Sequence, residues 1–266
     1  MNIALFSQSL FALPLEEAIE ATATLGFPAI ELACGQPHFD IATARTDPQR
    51  VAAQIHQSGL QVSALSLFNN FTDRADLDWQ LEEAEVYIRL APLFRTDLLK
   101  LTPGPPGSAA AEPEHWDSLK TALGRLTRVA EQVGVRLAFE THMRQLSDTL
   151  VGACRLLELA PSAAVGATID FSNLIFAGES LPAVIDALGT RIYNTHIKNG
   201  TIGADGSWHF HALDRGLTDY AEVLALLRNM HYTGYLTIEC LGSAAREQPV
   251  ATARRDLDLL RSYMAS

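Results

Sequence analysis

The stretch Arg136-Leu137-Ala138-Phe139-Glu140-Thr141-His142 decides how the chain is read. Leu137 and Phe139 share one parity, and Arg136, Ala138, Glu140 and His142 share the other. Successive side chains on a strand point to opposite faces, so the apolar pair faces a covering helix and the polar set faces away from it. Three later segments repeat the pattern. Gly166, Thr168 and Asp170 oppose Ala167 and Ile169; Asn194, His196 and Lys198 share a face, with Ile197 opposite; Tyr235, Thr237 and Glu239 oppose Leu236 and Ile238. Parallel strands covered on both sides normally read as continuous apolar runs. Here four strands in succession end on a coordinating side chain of the same face: Glu140, Asp170, His196 and Glu239.

Working outward, β-like runs at residues 3–6, 29–33, 62–67, 98–101, 136–140, 165–170, 192–198 and 235–239 alternate with amphipathic stretches. The predicted helices are 15–25, 48–58, 78–93, 113–133, 148–159, 181–188, 220–230 and 249–263. Pro14 and Gly26 bracket the first helix, and Gly59 stops the second. Strict alternation requires parallel strands joined by crossover helices. Eight such units fit the ~250 residues of a (β/α)8 TIM barrel. No Gly-x-Gly-x-x-Gly follows the first strand, which argues against an open doubly wound sheet. The expectation is one α/β barrel domain over residues 1–266.

The composition agrees. With 48% hydrophobic and 19% charged residues, the 266-residue chain can bury a large core. No apolar run reaches the ~18 residues of a membrane span, and residues 1–7 lack a basic leader, so a cytoplasmic location is expected. The net charge of −11 argues against a nucleic-acid partner. Cys34, Cys154 and Cys240 are too far apart and odd in number for a disulfide framework.

Three carboxylates converging at one barrel rim would repel one another unless a cation or bound protons intervened. A divalent metal resolves the conflict. The oxygen-rich set Glu140, Asp170, His196 and Glu239 favours Mn²⁺, with Mg²⁺, Co²⁺ or Zn²⁺ as alternatives. The C-terminal rim is also where barrel enzymes place their chemistry.

At these residues the sequence resembles the xylose-isomerase-like TIM-barrel superfamily, in its sugar and sugar-phosphate isomerase/epimerase branch. The resemblance runs through Phe139-Glu140-Thr141-His142, Thr168-Ile169-Asp170-Phe171-Ser172-Asn173, Thr195-His196-Ile197-Lys198, Asp214-Arg215-Gly216-Leu217-Thr218-Asp219-Tyr220 and Gly234-Tyr235-Leu236-Thr237-Ile238-Glu239. Ala29-Ile30-Glu31-Leu32 extends it into the first half. It implies that Glu140, Asp170, His196 and Glu239 hold the metal, and that Glu140 and Glu239 abstract and return a proton next to a substrate carbonyl. Many members carry histidine where this chain has Asn173, and aspartate where it has Asn199, two positions expected near the substrate.

The implied substrate is a small sugar, sugar phosphate or keto-polyol. A metal-dependent lyase acting on a keto-inositol or a dehydroshikimate-like acid is the alternative, because it shares the enolate step. A multi-zinc nuclease would need further histidines, and Asn173 breaks that set. Further candidates for substrate binding are His142, Asn173, Lys198, Arg215 and His209, with His209 and His211 read chiefly as loop residues. Glu31 is read as orienting a neighbouring ligand. Phe68 and Phe71 are candidate pocket walls, Trp79 and Trp116 are expected in the core, and a homo-oligomer is compatible with the sequence.

Overall fold

The computed structural model describes residues 1–265. Eight parallel strands close a barrel: β1 (Asn2–Phe6), β2 (Ala29–Ala33), β3 (Gln61–Ser66), β4 (Leu98–Leu101), β5 (Arg136–Glu140), β6 (Val165–Asp170), β7 (Ile192–Ile197) and, after an inserted hairpin, β10 (Tyr235–Ile238). The hairpin pairs β8 (Asn199–Ile202) antiparallel with β9 (Trp208–His211). Around the barrel run α1 (Leu15–Thr24), α2 (Ile41–Thr46), α3 (Pro48–Gln57), α4 (Leu77–Leu90), α5 (Pro113–Val133) and α6 (Leu150–Leu159). They are followed by α7 (Phe171–Phe176), α8 (Leu181–Leu188), α9 (Tyr220–Asn229), α10 (Gly242–Glu247) and α11 (Pro249–Ala265). Among the described residues no helix is long and apolar enough to cross a membrane.

All eight predicted strands and eight predicted helices form. The apolar parity set packs outward under the helices: Leu137, Phe139, Ile169, Ile197, Leu236 and Ile238 are buried in the two large apolar clusters. The opposite set turns inward. Below the rim, Ala64, Leu98 and Ala138 fill the barrel floor. Strand register then staggers the polar positions. Glu140 pairs with Thr168, Asp170 with His196, and His196 with Thr237, so each strand of this tilted barrel brings its last inward side chain to the same rim.

The structure corrects several expectations. The seventh strand ends at Ile197, and Lys198 lies between β7 and the hairpin. The connection read as a loop around His209 and His211 contains β8 and β9. Helices α2, α7 and α10 are additions within loops. Trp116 is buried as expected, but Trp79 on α4 is 50% exposed, because the buried stripe of that helix runs through Leu81, Ala84, Tyr87 and Ile88.

Candidate metal and active site

Each coordinating residue lies within one residue of the C-terminal end of a barrel strand. Glu140 closes β5, Asp170 closes β6 and His196 lies near the end of β7. Glu239 follows β10, with its N–H donating to Ile197 O at 2.9 Å. One ligand atom from each of the four comes within 4.8 Å of every other, and all four residues are buried. Asp170 also starts a helix: its Oδ1 accepts the Asn173 N–H at 3.0 Å and caps α7, leaving Oδ2 toward the cluster.

Other groups fix the cluster from below and from the side. Lys100 Nζ lies 2.6 Å from Glu140 Oε2, with both side chains buried, and it sits 4.5 Å from the Phe68 ring centroid. Lys198 Nζ lies 2.7 Å from Asp170 Oδ2 and 2.8 Å from Glu239 Oε2. The backbone of Lys198 is clamped by Tyr220, whose hydroxyl accepts its N–H at 2.9 Å and donates to its carbonyl, which also accepts from Ser172 Oγ. On the far side, His196 Nε2 lies 2.9 Å from Glu31 Oε1, and Glu31 Oε2 accepts from Asn194 Nδ2 at 2.8 Å. His196 Nδ1 faces Glu140 Oε1 at 3.3 Å and Glu239 Oε2 at 3.9 Å, and it has no hydrogen-bond partner.

Charge balance explains the titration of these groups. Burial lowers the basicity of His196, but the carboxylates of Glu31 and Glu140 outweigh it and hold the imidazole well above its ordinary value. Burial raises Glu140, yet Lys100 and then His196 bring it well below the usual carboxylate range. Burial also raises Glu31, and His196 and Lys100 leave it lowered. Asp170 remains raised, because burial and the nearby Glu239 and Glu140 charges exceed the help from Lys198. Lys198 itself is raised: burial opposes its charge, but Asp170 and Glu239 prevail.

These residues fit a divalent ion. Ligand atoms on opposite sides of one ion, at bonds of ~2.0–2.3 Å, stand ~4–4.6 Å apart, close to the spacing of this set. Glu31 receives Nε2 of His196, so the orphaned Nδ1 is the nitrogen free to coordinate. Four carboxylates facing two lysines leave a deficit of two positive charges when the imidazole is neutral, and a divalent cation cancels that deficit.

The remaining candidates divide. Asn173 is buried beside the cluster, with Nδ2 donating to Thr141 O at 3.0 Å and Oδ1 without a partner. His142 is half-buried just past β5, its Nδ1 2.9 Å from Met143 O. Phe68 covers Lys100, whereas Phe71 is buried in the apolar core. Two residues are not brought to the cluster. His209 is exposed on β9, with Nε2 2.9 Å from Ser207 Oγ in its own hairpin. Arg215 is exposed in the turn beyond β9 and borders a cavity that contains none of the four cluster residues. Asn199 turns its side chain into the protein. Its Nδ2 donates to Leu213 O and Thr218 O at 2.8 and 2.9 Å, while its Oδ1 accepts from Gly200 N and Thr218 N, so the amide closes the loop carrying the hairpin. Gly216 is required there, because a Cβ would come within 2.0 Å of Asn199 Oδ1. Lys100 was not anticipated as part of the site. It is the single charge in Leu98-Leu99-Lys100-Leu101, and its register partner Ala138 shares the inward parity of Glu140.

A closed eight-stranded barrel with a buried acid–imidazole cluster at its C-terminal rim defines the class: a TIM barrel with a potential metal centre. The chain belongs to the xylose isomerase-like TIM barrel family, whose model matches residues 19–263. It is 23% identical over 162 residues to an inosose dehydratase of Bacillus thuringiensis (strain Al Hakam), covering 56% of this chain and 54% of the relative, so the match spans about half of that protein. It is 22% identical over 276 residues to a fructoselysine 3-epimerase of Shigella flexneri, covering 99% of this chain and 98% of the relative. Among solved structures, the IOLI protein with a binding zinc atom superimposes with a TM-score of 0.85 at 17% identity over the whole of both chains.

Proposed function

We propose that residues 1–266 act as one barrel domain, a metal-dependent enzyme that moves a proton on the carbon next to the carbonyl of a sugar, sugar phosphate or keto-polyol. The first reading is an isomerase or epimerase. The observation that carries it is the convergence of Glu140, Asp170, His196 and Glu239, two glutamates among them, on one buried point at the rim. Those four would hold the ion, with Mn²⁺ the expected metal for a set of three carboxylates and one imidazole. Held there, the ion would supply Lewis-acid stabilisation of the negative charge that develops on a substrate oxygen during proton transfer.

The chain's own residues supply the rest. Glu140 and Glu239 come from strands separated by β6 and β7, so they flank a bound substrate and can remove a proton from one face and return it to the other. Lys100 keeps Glu140 anionic, as a base must be. Asn173 Oδ1 would accept from a substrate hydroxyl, and His142 stands beside Glu140 as a second polar contact. Acidity overall and a closed, carboxylate-rich site favour a small neutral or metal-chelating substrate over nucleic acid.

Dehydration is the second reading, favoured by the match to the inosose dehydratase. The enolate step would be the same, and the Lys198 ammonium, between Asp170 and Glu239, would protonate a hydroxyl leaving from the β-carbon. Incubating the manganese-loaded protein with ketoses, ketose phosphates and keto-inositols in deuterated water separates the two. Deuterium at the carbon beside the carbonyl of an epimerised product supports the first reading, and loss of water supports the second. Neither outcome with any of these substrates would remove both.

A further inference from the structure

Thr141 stands between Glu140 and His142 but has the opposite parity, so its side chain does not join the inward set. The residues of that parity on β5 are Leu137 and Phe139, both buried among apolar side chains. Thr141 is itself fully buried, and a hydroxyl in such a place needs a partner. It finds one in the neighbouring strand: Thr141 Oγ1 accepts the backbone N–H of Asp170 at 2.9 Å. Asp170 is the member of the cluster that both closes β6 and starts α7.

The hydroxyl stands in for a backbone group. Thr141 N–H donates to Thr168 O at 3.0 Å, and a regular parallel ladder would next bond Asp170 N–H to the Thr141 carbonyl. That carbonyl instead accepts from Asn173 Nδ2 at 3.0 Å, while the hydroxyl takes the Asp170 N–H. The ladder thus stops at Asp170, whose Oδ1 accepts the Asn173 N–H at 3.0 Å as α7 begins. Thr141, Asp170 and Asn173 close a ring of three hydrogen bonds. The ring fixes the Asp170 backbone and one of its carboxylate oxygens, which leaves Oδ2 as the oxygen turned to the cluster, 2.7 Å from Lys198 Nζ. Hydroxyls take rim N–H groups elsewhere: Ser7 that of Ala33, Thr102 that of Asn69 and Ser9 that of Cys240. Of these bonds, the one to Thr141 alone holds a residue of the cluster itself.

We propose that Thr141 is a positioning residue for the metal site: its hydroxyl holds Asp170 in the orientation that presents Oδ2 to the other three ligands. The inference rests on the metal-centred reading above and adds to it a residue that touches neither ion nor substrate. Without the hydroxyl, the Asp170 N–H would be a buried donor with no acceptor, a costly state. It would recapture the Thr141 carbonyl, extend the ladder by one step and displace the Asn173 amide. Asp170 would then leave its place at the start of α7, and Oδ2 would turn away from the cluster.

Calorimetric titration with Mn²⁺ alone tests this in Thr141→Val and Thr141→Ser, with urea unfolding of both metal-free variants alongside. Valine keeps the volume and loses the acceptor; serine keeps the acceptor and loses the methyl. Manganese affinity should fall about tenfold or more in Thr141→Val and stay within about threefold in Thr141→Ser, as expected of a group that orients a metal ligand. A residue needed only for packing gives the reverse order, because valine fills the space and serine does not. A Thr141→Val that does not fold is replaced by Thr141→Ala, compared with Thr141→Ser in the same way. Lower urea stability with unchanged manganese affinity in Thr141→Val, or equal losses of affinity in the two variants, overturns the proposal. No manganese binding by the unsubstituted protein would remove the metal reading and this inference with it; binding there with no loss in Thr141→Val would remove the inference alone.

Discussion

Glu31 Oε1 lies 2.9 Å from His196 Nε2, both side chains fully buried, although the two residues are 165 positions apart. The contact selects the imidazole orientation: Nε2 is committed to Glu31, and Nδ1 is presented to Glu140 and Glu239. Partners of this kind orient metal-binding histidines and raise their donor strength, and removing them typically costs 10–100-fold in metal affinity. Glu31→Ala is therefore expected to weaken manganese binding by about 10–100-fold while Glu140, Asp170 and Glu239 remain in place. Titration calorimetry checks this, and an unchanged affinity would show that Glu31 does not orient the histidine.

The same pair gives metal uptake a pH dependence. Without metal, Glu31 and Glu140 overcome burial and raise His196 well above its ordinary value, so the ring is an imidazolium at neutral pH. Coordination through Nδ1 requires loss of that proton. Affinity should accordingly rise with pH through the neutral range, by up to about tenfold per unit for one proton displaced. The stability of the metal-free protein should move the opposite way: the raised His196 stabilises it fully below about pH 6.5, and this contribution is lost as pH rises through the folded-state value. Calorimetry in buffers of different ionisation enthalpy would detect the released proton, and uptake without proton release would contradict the assignment of Nδ1.

Much of this arrangement was legible in the chain because side-chain parity has only two states. Once Leu137 and Phe139 face the helices, Glu140 has to face the barrel, and the same logic places Asp170, His196 and Glu239. Lys100 escaped because a four-residue apolar strand shows no alternation; its role appears only when strand register sets it against Ala138, below Glu140. The hairpin escaped because its strands are only four residues long: Asn199-Gly200-Thr201-Ile202 shows no apolar alternation, and Trp208-His209-Phe210-His211 alternates over too few residues to be told from a loop. Asn199 looked like a substrate contact because an amide serves a ligand or a backbone equally well. Its actual partners, Leu213 and Thr218, lie 14 and 19 residues away and are brought near only by the folded loop. Trp79 and Trp116 both sit on helices, and only the direction of each buried stripe separates the exposed one from the buried one.

Glu239 offers a direct test of proton transfer. Glu239→Gln preserves shape and one coordinating oxygen but cannot carry a proton. General acid–base groups typically contribute about 100- to 10,000-fold, and turnover should fall by that order with the fold retained by circular dichroism. Deuterium exchange into the substrate should fall in parallel. Near-normal turnover would remove Glu239 from the mechanism and leave Glu140 to act alone or with Lys198.

Lys100 faces Glu140, a buried carboxylate of the cluster, and its removal separates charge from packing. In Lys100→Met a side chain of similar length still fills the space between Phe6 and Phe68, but Glu140 loses the ammonium 2.6 Å from Oε2. Breaking a buried ion pair by deleting one partner typically costs ~3–5 kcal/mol, because the other charge is left uncompensated. The metal-free variant should therefore unfold at markedly lower urea concentration. Adding Glu140→Gln should recover a large part of that loss, since no buried charge then remains to be neutralised. Manganese should narrow the gap between Lys100→Met and the unsubstituted protein, because a bound cation supplies positive charge on the other side of Glu140. If the double variant is as unstable as the sum of the two single ones, Lys100 acts through packing alone, and the charge balance drawn for the barrel interior is wrong.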